Sequence, residues 1–156
     1  MIIERLRREL VFGNSWRNSN IASTRPAQIH LGPKVCLIDQ FSASDGDLFP
    51  YQFRHYKIGK LIGQRSWGGV VGIRGSLPFV DGGTLNRPEF AHFNPETNEW
   101  VIEGEGVSPD IEVLNDPHQE YLGNDIQLNR GVEELLKELK ANPTKKLSIP
   151  PFPKKN

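Results

Sequence analysis

A run of small and acidic residues at positions 42–47, Ser-Ala-Ser-Asp-Gly-Asp, contains two serines that could act as nucleophiles. It lies between an apolar run at 35–38 and a segment at 46–56 that is typical of a helix. A turn of small residues at such a place can hold one serine hydroxyl at a sheet edge, beside backbone N–H groups without helical partners. This geometry suits a nucleophilic serine next to an oxyanion hole. The same pattern also fits a simple helix cap by Ser44 or Asp45.

Three longer motifs follow this turn. They are Gly-Lys-Leu-Ile-Gly-Gln-Arg-Ser-Trp-Gly-Gly-Val-Val-Gly-Ile at 59–73, Leu-Asn-Arg-Pro-Glu-Phe at 85–90, and Ile-Glu-Gly-Glu-Gly-Val-Ser-Pro-Asp-Ile-Glu-Val at 102–113. In this order and at these spacings, residues 34–139 resemble the end of the tricorn protease family, which belongs to the wider group of carboxy-terminal-processing serine peptidases. The resemblance is specific because several long motifs match in order.

The resemblance implies roles for individual residues. The catalytic serine of the family is followed directly by Asp-Gly-Asp, which matches Ser44, whereas the pattern alone leaves Ser42 as a competitor. By the same match, the backbone N–H of Asp45 donates to the oxyanion. The family also has a glutamate in a Val/Ile-Glu-x-x-Gly-Val-x-Pro-Asp segment, where it orients the catalytic base through a bridging serine. Glu103 fits that position, and Glu105, two residues further on, is its rival.

The catalytic base is not evident in the chain. In the family it is the histidine of a Ser-His pair well before the catalytic serine, and an upstream Asn-Gly-Gly-Gly-type turn supplies the other oxyanion donor. Neither motif occurs here, so we assign no base among the four histidines, which are His30, His55, His92 and His118.

The function that the resemblance implies is a serine-type endopeptidase that acts on short peptides by acyl-enzyme chemistry. The chain is then a fragment that lacks the catalytic histidine, and in isolation it is expected to be inactive. Its expected partners are peptide substrates and the N-terminal part of the peptidase, in a homo-oligomeric parent. The alternative is a catalytically inactive interaction or assembly module. An acyl-CoA-binding enzyme of the broader crotonase-like fold rests on fold analogy alone.

An α/β fold is expected. The apolar run at 34–39 predicts a strand that is covered on both faces, and the next strand is predicted at 61–63. With the helix at 46–56 between them, these strands predict a parallel strand–helix–strand unit. The resemblance implies the second half of a crotonase-like (ClpP/crotonase-type) spiral, as a partial domain over residues 1–142.

The other elements are predicted from local patterns. An amphipathic helix is expected at 1–10, a long surface loop at 12–33, and short strands at 70–73, around 81–83 and at 100–103. A second helix is expected at 126–140, with a buried face made of Leu128, Val132, Leu135, Leu136 and Leu139, and a disordered tail rich in Pro and Lys at 143–156.

Composition excludes several classes of function. The 156 residues suit one domain, and a formal net charge of +0 favours neither a nucleic-acid partner nor a membrane partner. The single cysteine, Cys36, rules out an intrachain disulfide and is expected to be buried and inert. No sequence motif for a metal or nucleotide cofactor is present. The lack of a signal peptide or apolar span predicts a cytoplasmic location, although the compartment of a longer parent stays open.

Overall fold

A three-stranded parallel sheet forms the centre of the computed structural model, which describes residues 2–75, 78–144, 146–152 and 154. Within these ranges, no helix is both long and apolar enough to cross a membrane. In chain order the elements are α1 (Ile2–Leu6), β1 (Phe12–Asn14), β2 (Ser23–Arg25), β3 (Val35–Ile38), α2 (Asp45–His55), β4 (Lys60–Gly63), β5 (Gly72–Gly75), β6 (Asn86–Phe90), β7 (Phe93–Asn94), β8 (Glu99–Trp100), β9 (Ile111–Glu112), α3 (Pro117–Tyr121) and α4 (Ile126–Ala141).

The central sheet has the strand order β3-β4-β9, and both of its pairs are parallel. Val35 pairs with Lys60 and Ile38 with Gly63, so β3 and β4 start and end together. Helix α2 makes the crossover that two parallel neighbours require. Three antiparallel pairs, β1-β2, β5-β6 and β7-β8, lie outside this sheet. The predicted α/β class and the strand–helix–strand unit are confirmed.

Helices cover both faces of β3. Ile38 belongs to the same core cluster as Phe53 of α2. Val35 and Leu37 lie against Gly131 of α4, where an added Cβ would come within 3.2 Å of Leu37 Cδ2. Because side chains alternate along a strand, α2 and α4 lie on opposite faces. The apolar run predicted a strand covered on both faces, and on the α4 side the cover is partial, since Leu37 is 38% exposed.

Helix α2 turns one stripe of side chains inward. Asp47, Pro50 and Phe53 are all buried, and their spacing of three residues places them on the same side of the helix. The stripe packs into a core that joins α1, β3 and β4 to two loops that follow β4. That core consists of Ile3, Ile38, Phe53, Leu61, Val70, Ile102 and Val107.

Helix α4 meets the sheet through a face other than the predicted one. Gln127, Gly131 and Glu134 lie on the sheet side, and Gln127 Nε2 donates to Ile38 O at 2.8 Å and Ile62 O at 2.9 Å. The predicted buried face is wrong, because a glycine contact and polar contacts to the strand ends hold the helix instead. Four of the five residues of the predicted face are exposed: Leu128 by 49%, Val132 by 45%, Leu136 by 61% and Leu139 by 37%.

Several peripheral predictions differ from the structure in their bounds. The helix predicted for 1–10 is only α1, and Met1 lies outside the described residues. The loop predicted for 12–33 contains the hairpin β1-β2. The strand predicted for 70–73 is β5, but its partner is β6 rather than 81–83. These short strands depend on their cross-strand partners, which local propensity does not reveal.

The two long helices match their predictions to within one residue at each end, since α2 is Asp45–His55 and α4 is Ile126–Ala141. The predicted tail at 143–156 includes residues 145, 153, 155 and 156, which lie outside the described residues. The described part of this stretch contains no helix or strand.

Replacing Glu134 with glutamine should lower stability near neutral pH and flatten its acid dependence. The buried Glu134 carboxylate lies 2.7 Å from Lys60 Nζ and 2.8 Å from Arg130 Nη2. The hydrogen bond from Lys60 holds the pKa of Glu134 below its ordinary value of 4.5. This stabilisation is therefore fully present above the unfolded-state pKa and is lost as the pH falls through the folded-state pKa. Urea unfolding midpoints across the acid range measure the effect.

Glu133→Gln is the matched control. Glu133 is exposed and lies 3.5 Å from Arg130 Nη1, so its loss should leave the urea midpoint close to that of the wild type. An acid dependence of Glu134→Gln that equals that of the wild type would contradict the assignment.

Candidate active site

Ser44 occupies a strained position at the start of α2. Its φ is 56° and its ψ is −112°, which places a residue other than glycine at positive φ. It stands at the N-cap position, but its side chain makes no capping hydrogen bond. Ser44 is also exposed to solvent. The residue thus bears a backbone strain without using its hydroxyl to satisfy the helix.

The hydroxyl of Ser42, the competing serine, is hydrogen-bonded to its own turn. Its Oγ donates to Asp39 Oδ1 at 2.9 Å and accepts from the Asp39 N–H at 3.1 Å. Its carbonyl oxygen accepts from the Trp67 N–H at 2.9 Å. These bonds give Ser42 a role in fixing the turn between β3 and α2, whereas the Ser44 hydroxyl makes no capping bond.

The segment 68–71 runs beside the start of α2 and connects it to the candidate glutamate. The Ser44 N–H donates to Gly69 O at 3.2 Å. The next N–H groups, of Val70 and Val71, donate to Glu103 Oε2 at 2.7 Å and 2.8 Å. Because Gly69 C=O and Val70 N–H belong to one planar peptide unit, a single rigid group links Ser44 to Glu103.

Glu103 lies in a tight turn rather than on the predicted strand at 100–103, of which only Trp100 is in β8. Ile102, just before it, has a φ of 76°. Glu103 and Glu105 therefore do not share one face, as residues two apart would on a strand. The Glu103 carboxylate binds the backbone of segment 68–71, whereas Glu105 contributes its carbonyl oxygen, which accepts from Arg65 Nη1 at 2.6 Å.

Two glycines allow this close approach. Gly68 has a φ of 89°, and a Cβ added there would lie 2.7 Å from the backbone nitrogen of Gly106. A Cβ on Gly69 would lie 2.1 Å from Cζ3 of the Trp67 ring, which covers that residue. The structure therefore requires glycine at both positions, because no larger residue fits between Trp67 and the turn at 102–106.

Sequence reasoning missed Asp47 as a residue of this site. Its side chain is 0% exposed, and its Oδ1 accepts from the Gly68 N–H at 2.8 Å. The sequence does indicate that Asp47 points inward. Asp47, Pro50 and Phe53 are spaced along one side of a helix, and the two apolar residues predict that this side is buried.

The backbone N–H of Asp45 is available to a ligand. Asp45 is the first residue of α2, and its N–H donates no hydrogen bond within the described residues. The positive end of the helix dipole lies here as well. An apolar recess beside it is lined by Ile2, Ile3, Leu48, Phe49 and Gln52.

The structure does not bring a histidine to Ser44. His30, His55 and His118 are exposed, and the half-buried His92 packs its ring 5.9 Å from that of Phe90. No histidine hydrogen-bonds to the Ser44 hydroxyl within the part of the chain that the structure describes.

The Cys36 thiol is not activated as a nucleophile. Burial raises the pKa of the Cys36 thiol to about 11, so this thiol stays protonated and unreactive at neutral pH. Across the described ranges, no group of three or more His, Cys, Asp or Glu side chains is placed to hold a metal ion.

Comparison with known proteins gives a consistent result. The model of peptidase family S41 matches residues 7–113. The tricorn protease of Thermoplasma acidophilum is 34% identical over 140 residues, which are 90% of this chain and 13% of the relative. A tricorn protease homolog of Saccharolobus solfataricus is 42% identical over 116 residues, which are 73% of this chain and 11% of the relative. The chain thus spans a small part of the length of these relatives.

Solved structures agree with these matches. The crystal structure of the tricorn protease has a TM-score of 0.82 at 34% identity, over 89% of this chain and 13% of that one. Mature CPAF has a TM-score of 0.54 at 20% identity, over 80% of this chain and 24% of that one, which shows a likeness of fold alone. The predicted resemblance to the tricorn family is confirmed.

Replacing Glu103 with alanine should destabilise the fold by about 1–2 kcal/mol, because two backbone N–H groups lose a charged acceptor. Both donors belong to segment 68–71, which packs into the core through Val70. The free energy of unfolding in urea measures this loss. Glu105→Ala is the control and should be close to neutral, since no hydrogen bond involves its carboxylate within the described residues. Equal losses in the two variants would contradict the role assigned to Glu103.

Proposed function

Because this chain belongs to peptidase family S41, we propose that it supplies the nucleophile of a serine endopeptidase that cleaves short peptides through an acyl-enzyme. The observation that carries this proposal is the conformation of Ser44, which has a φ of 56° and a hydroxyl that makes no capping hydrogen bond. A strained serine between a strand and a helix presents its Oγ to a substrate rather than to its own helix.

The chemistry follows from the neighbours of this hydroxyl. Ser44 Oγ attacks the carbonyl carbon of the substrate, and its proton passes to a base. The carbonyl oxygen gains negative charge and accepts a hydrogen bond from the Asp45 N–H at the positive end of α2. The C–N bond breaks as the base returns the proton to the leaving amine, and water then releases the acyl group from Ser44.

The base and the second oxyanion donor come, in this proposal, from a histidine and a turn outside this chain. Two features support docking of such a segment. The start of α1 lies at the recess beside Asp45, so a segment that precedes it would approach the oxyanion site. Strand β3 is at one edge of the central sheet within the described residues, so it can accept a further strand.

We also propose that the docked assembly completes a crotonase-like spiral, of which β3, α2 and β4 form one turn. Glu103 then supports the base through a bridging serine. Its Oε2 binds segment 68–71, and its Oε1 makes no hydrogen bond within the described residues. A homo-oligomeric parent stays a prediction.

The alternative function is an inactive interaction or assembly module. The exposed apolar side chains along α4 favour it, because such a stripe is usually covered by a partner. Activity that depends on Ser44 separates the two functions.

The isolated chain should be nearly inactive, and supplying an upstream tricorn segment with the Ser-His pair should restore activity through Ser44. Loss of the base from a serine triad costs several orders of magnitude in rate. Fluorogenic peptides measure turnover, and a fluorophosphonate probe measures the reactivity of the serine.

Two serine variants make this test specific. Ser44→Ala should abolish turnover in the co-expressed pair, whereas Ser42→Ala should largely spare it. The reverse pattern would show that Ser42 is the nucleophile and would contradict the assignment of Ser44. Efficient turnover by the isolated chain that disappears in Ser44→Ala would show that a histidine of this chain acts as the base.

Glu103→Gln should slow the co-expressed enzyme by on the order of 10- to 10⁴-fold, because it removes the charge that favours the imidazolium form of the base. Glutamine keeps an oxygen that can accept from the N–H groups of Val70 and Val71, so stability should fall less than in Glu103→Ala. Turnover per folded molecule measures the effect. If Glu103→Gln leaves turnover unchanged and Glu105→Gln lowers it, the assignment of Glu103 is wrong by two residues.

A further inference from the structure

Asp47 is a buried carboxylate at the start of α2 that the proposed reaction does not use. It is 0% exposed, its Oδ1 accepts from the Gly68 N–H at 2.8 Å, and its Oδ2 has no partner within the described residues. A buried carboxylate with one oxygen unpaired is costly, and only the nearby positive end of the helix dipole offsets part of that cost. An apolar residue would fill this inward position at a lower cost in free energy.

The hydrogen bonds of Asp47 replace an ordinary capping box. In a capping box, the N-cap side chain accepts from the third helical N–H, and the third side chain accepts from the N-cap N–H. Here the N-cap residue is Ser44 and the third residue is Asp47, yet neither of these bonds forms. The Asp47 N–H donates to the carbonyl oxygen of Ser44 at 2.9 Å, and the Ser44 N–H donates to Gly69 O at 3.2 Å.

The Gly68-Gly69 turn therefore takes one role of a capping box, because Gly69 O accepts from the Ser44 N–H in place of the third side chain. It gives the Gly68 N–H to the Asp47 carboxylate and receives the Ser44 N–H at Gly69 O. The bond to Gly69 O fixes the backbone of Ser44, which is at positive φ, and the Asp47 N–H bonds the Ser44 carbonyl oxygen rather than its hydroxyl.

We propose that Asp47 is the positioning residue of Ser44. It anchors the Gly68-Gly69 turn, and that turn holds the backbone of the serine in its strained conformation with the hydroxyl free. The effect on reactivity rests on the proposed function, whereas the effect on the backbone of Ser44 does not.

The first test measures amide hydrogen exchange by NMR in the chain itself. Asp47→Leu keeps the branched shape of the side chain at a larger volume and has no acceptor, whereas Asp47→Asn keeps an oxygen that can accept from Gly68. We expect exchange of the Ser44 N–H to be faster by about 10-fold or more in Asp47→Leu and within about threefold of the wild type in Asp47→Asn, since one hydrogen bond is at stake. If Asp47→Leu does not fold, Asp47→Asn decides, and a folded Asp47→Asn with lost protection overturns the proposal.

Asp110→Ala is the control for a loss of the same type elsewhere. The Asp110 Oδ2 accepts from the Leu61 N–H at 2.7 Å, at the end of the sheet away from Ser44. Its removal costs this backbone hydrogen bond and the 3.0 Å ion pair of Asp110 with Arg54, but it should leave exchange of the Ser44 N–H unchanged relative to global unfolding. Equal acceleration in Asp47→Leu and Asp110→Ala would reduce Asp47 to a general stabiliser and overturn its assignment.

The second test follows fluorophosphonate labelling and turnover after co-expression with the upstream segment. Asp47→Leu should slow labelling by about 10-fold or more per folded molecule and lower kcat more than it raises KM, and Asp47→Asn should recover most of that loss. If the wild type labels and Asp47→Leu labels equally fast, the positioning role fails while the proposed function stands. If the wild type does not label but Ser44 protection depends on Asp47, the proposed function fails while the positioning of the backbone stands.

Discussion

The candidate site depends on the hydrogen bonds that hold segment 68–71 against the start of α2. The peptide unit between Gly69 and Val70 accepts from the Ser44 N–H with its oxygen and donates to Glu103 with its nitrogen. Because this unit is planar, a rotation of the peptide disturbs both bonds together. The serine and the distant glutamate are therefore fixed relative to each other without touching, through one rigid group of the backbone.

The core explains why this segment stays in place. Val70 and Ile102 are both buried in the cluster that contains Phe53 of α2, so the two loops approach the helix from the same side. Close packing then demands glycine at 68 and 69, where any Cβ would overlap a neighbouring backbone or ring. Apolar burial thus positions the loops, and hydrogen bonds to two carboxylates set their orientation.

The sequence predicts the elements that have a strong local pattern and misses those that depend on distant partners. The apolar run that forms β3 and the two long helices have such patterns, and these elements are confirmed. The inward face of α4 was assigned from its leucines, but a glycine and polar contacts to strand ends decide the packing. The helical spacing of Asp47 indicates its inward position, but its partner, the Gly68-Gly69 turn, lies 21 residues away in the chain and is not evident from local pattern.

The same dependence determines when during folding the serine takes its final shape. The bond between Gly68 and Asp47 spans 21 residues, and that between Val70 and Glu103 spans 33. Such contacts form only after the intervening loops have closed, which is slow compared with the formation of a helix turn. Until then, Ser44 is free to act as an ordinary helix cap. A newly made chain therefore acquires the positive φ of Ser44 only once its tertiary structure has formed around that residue.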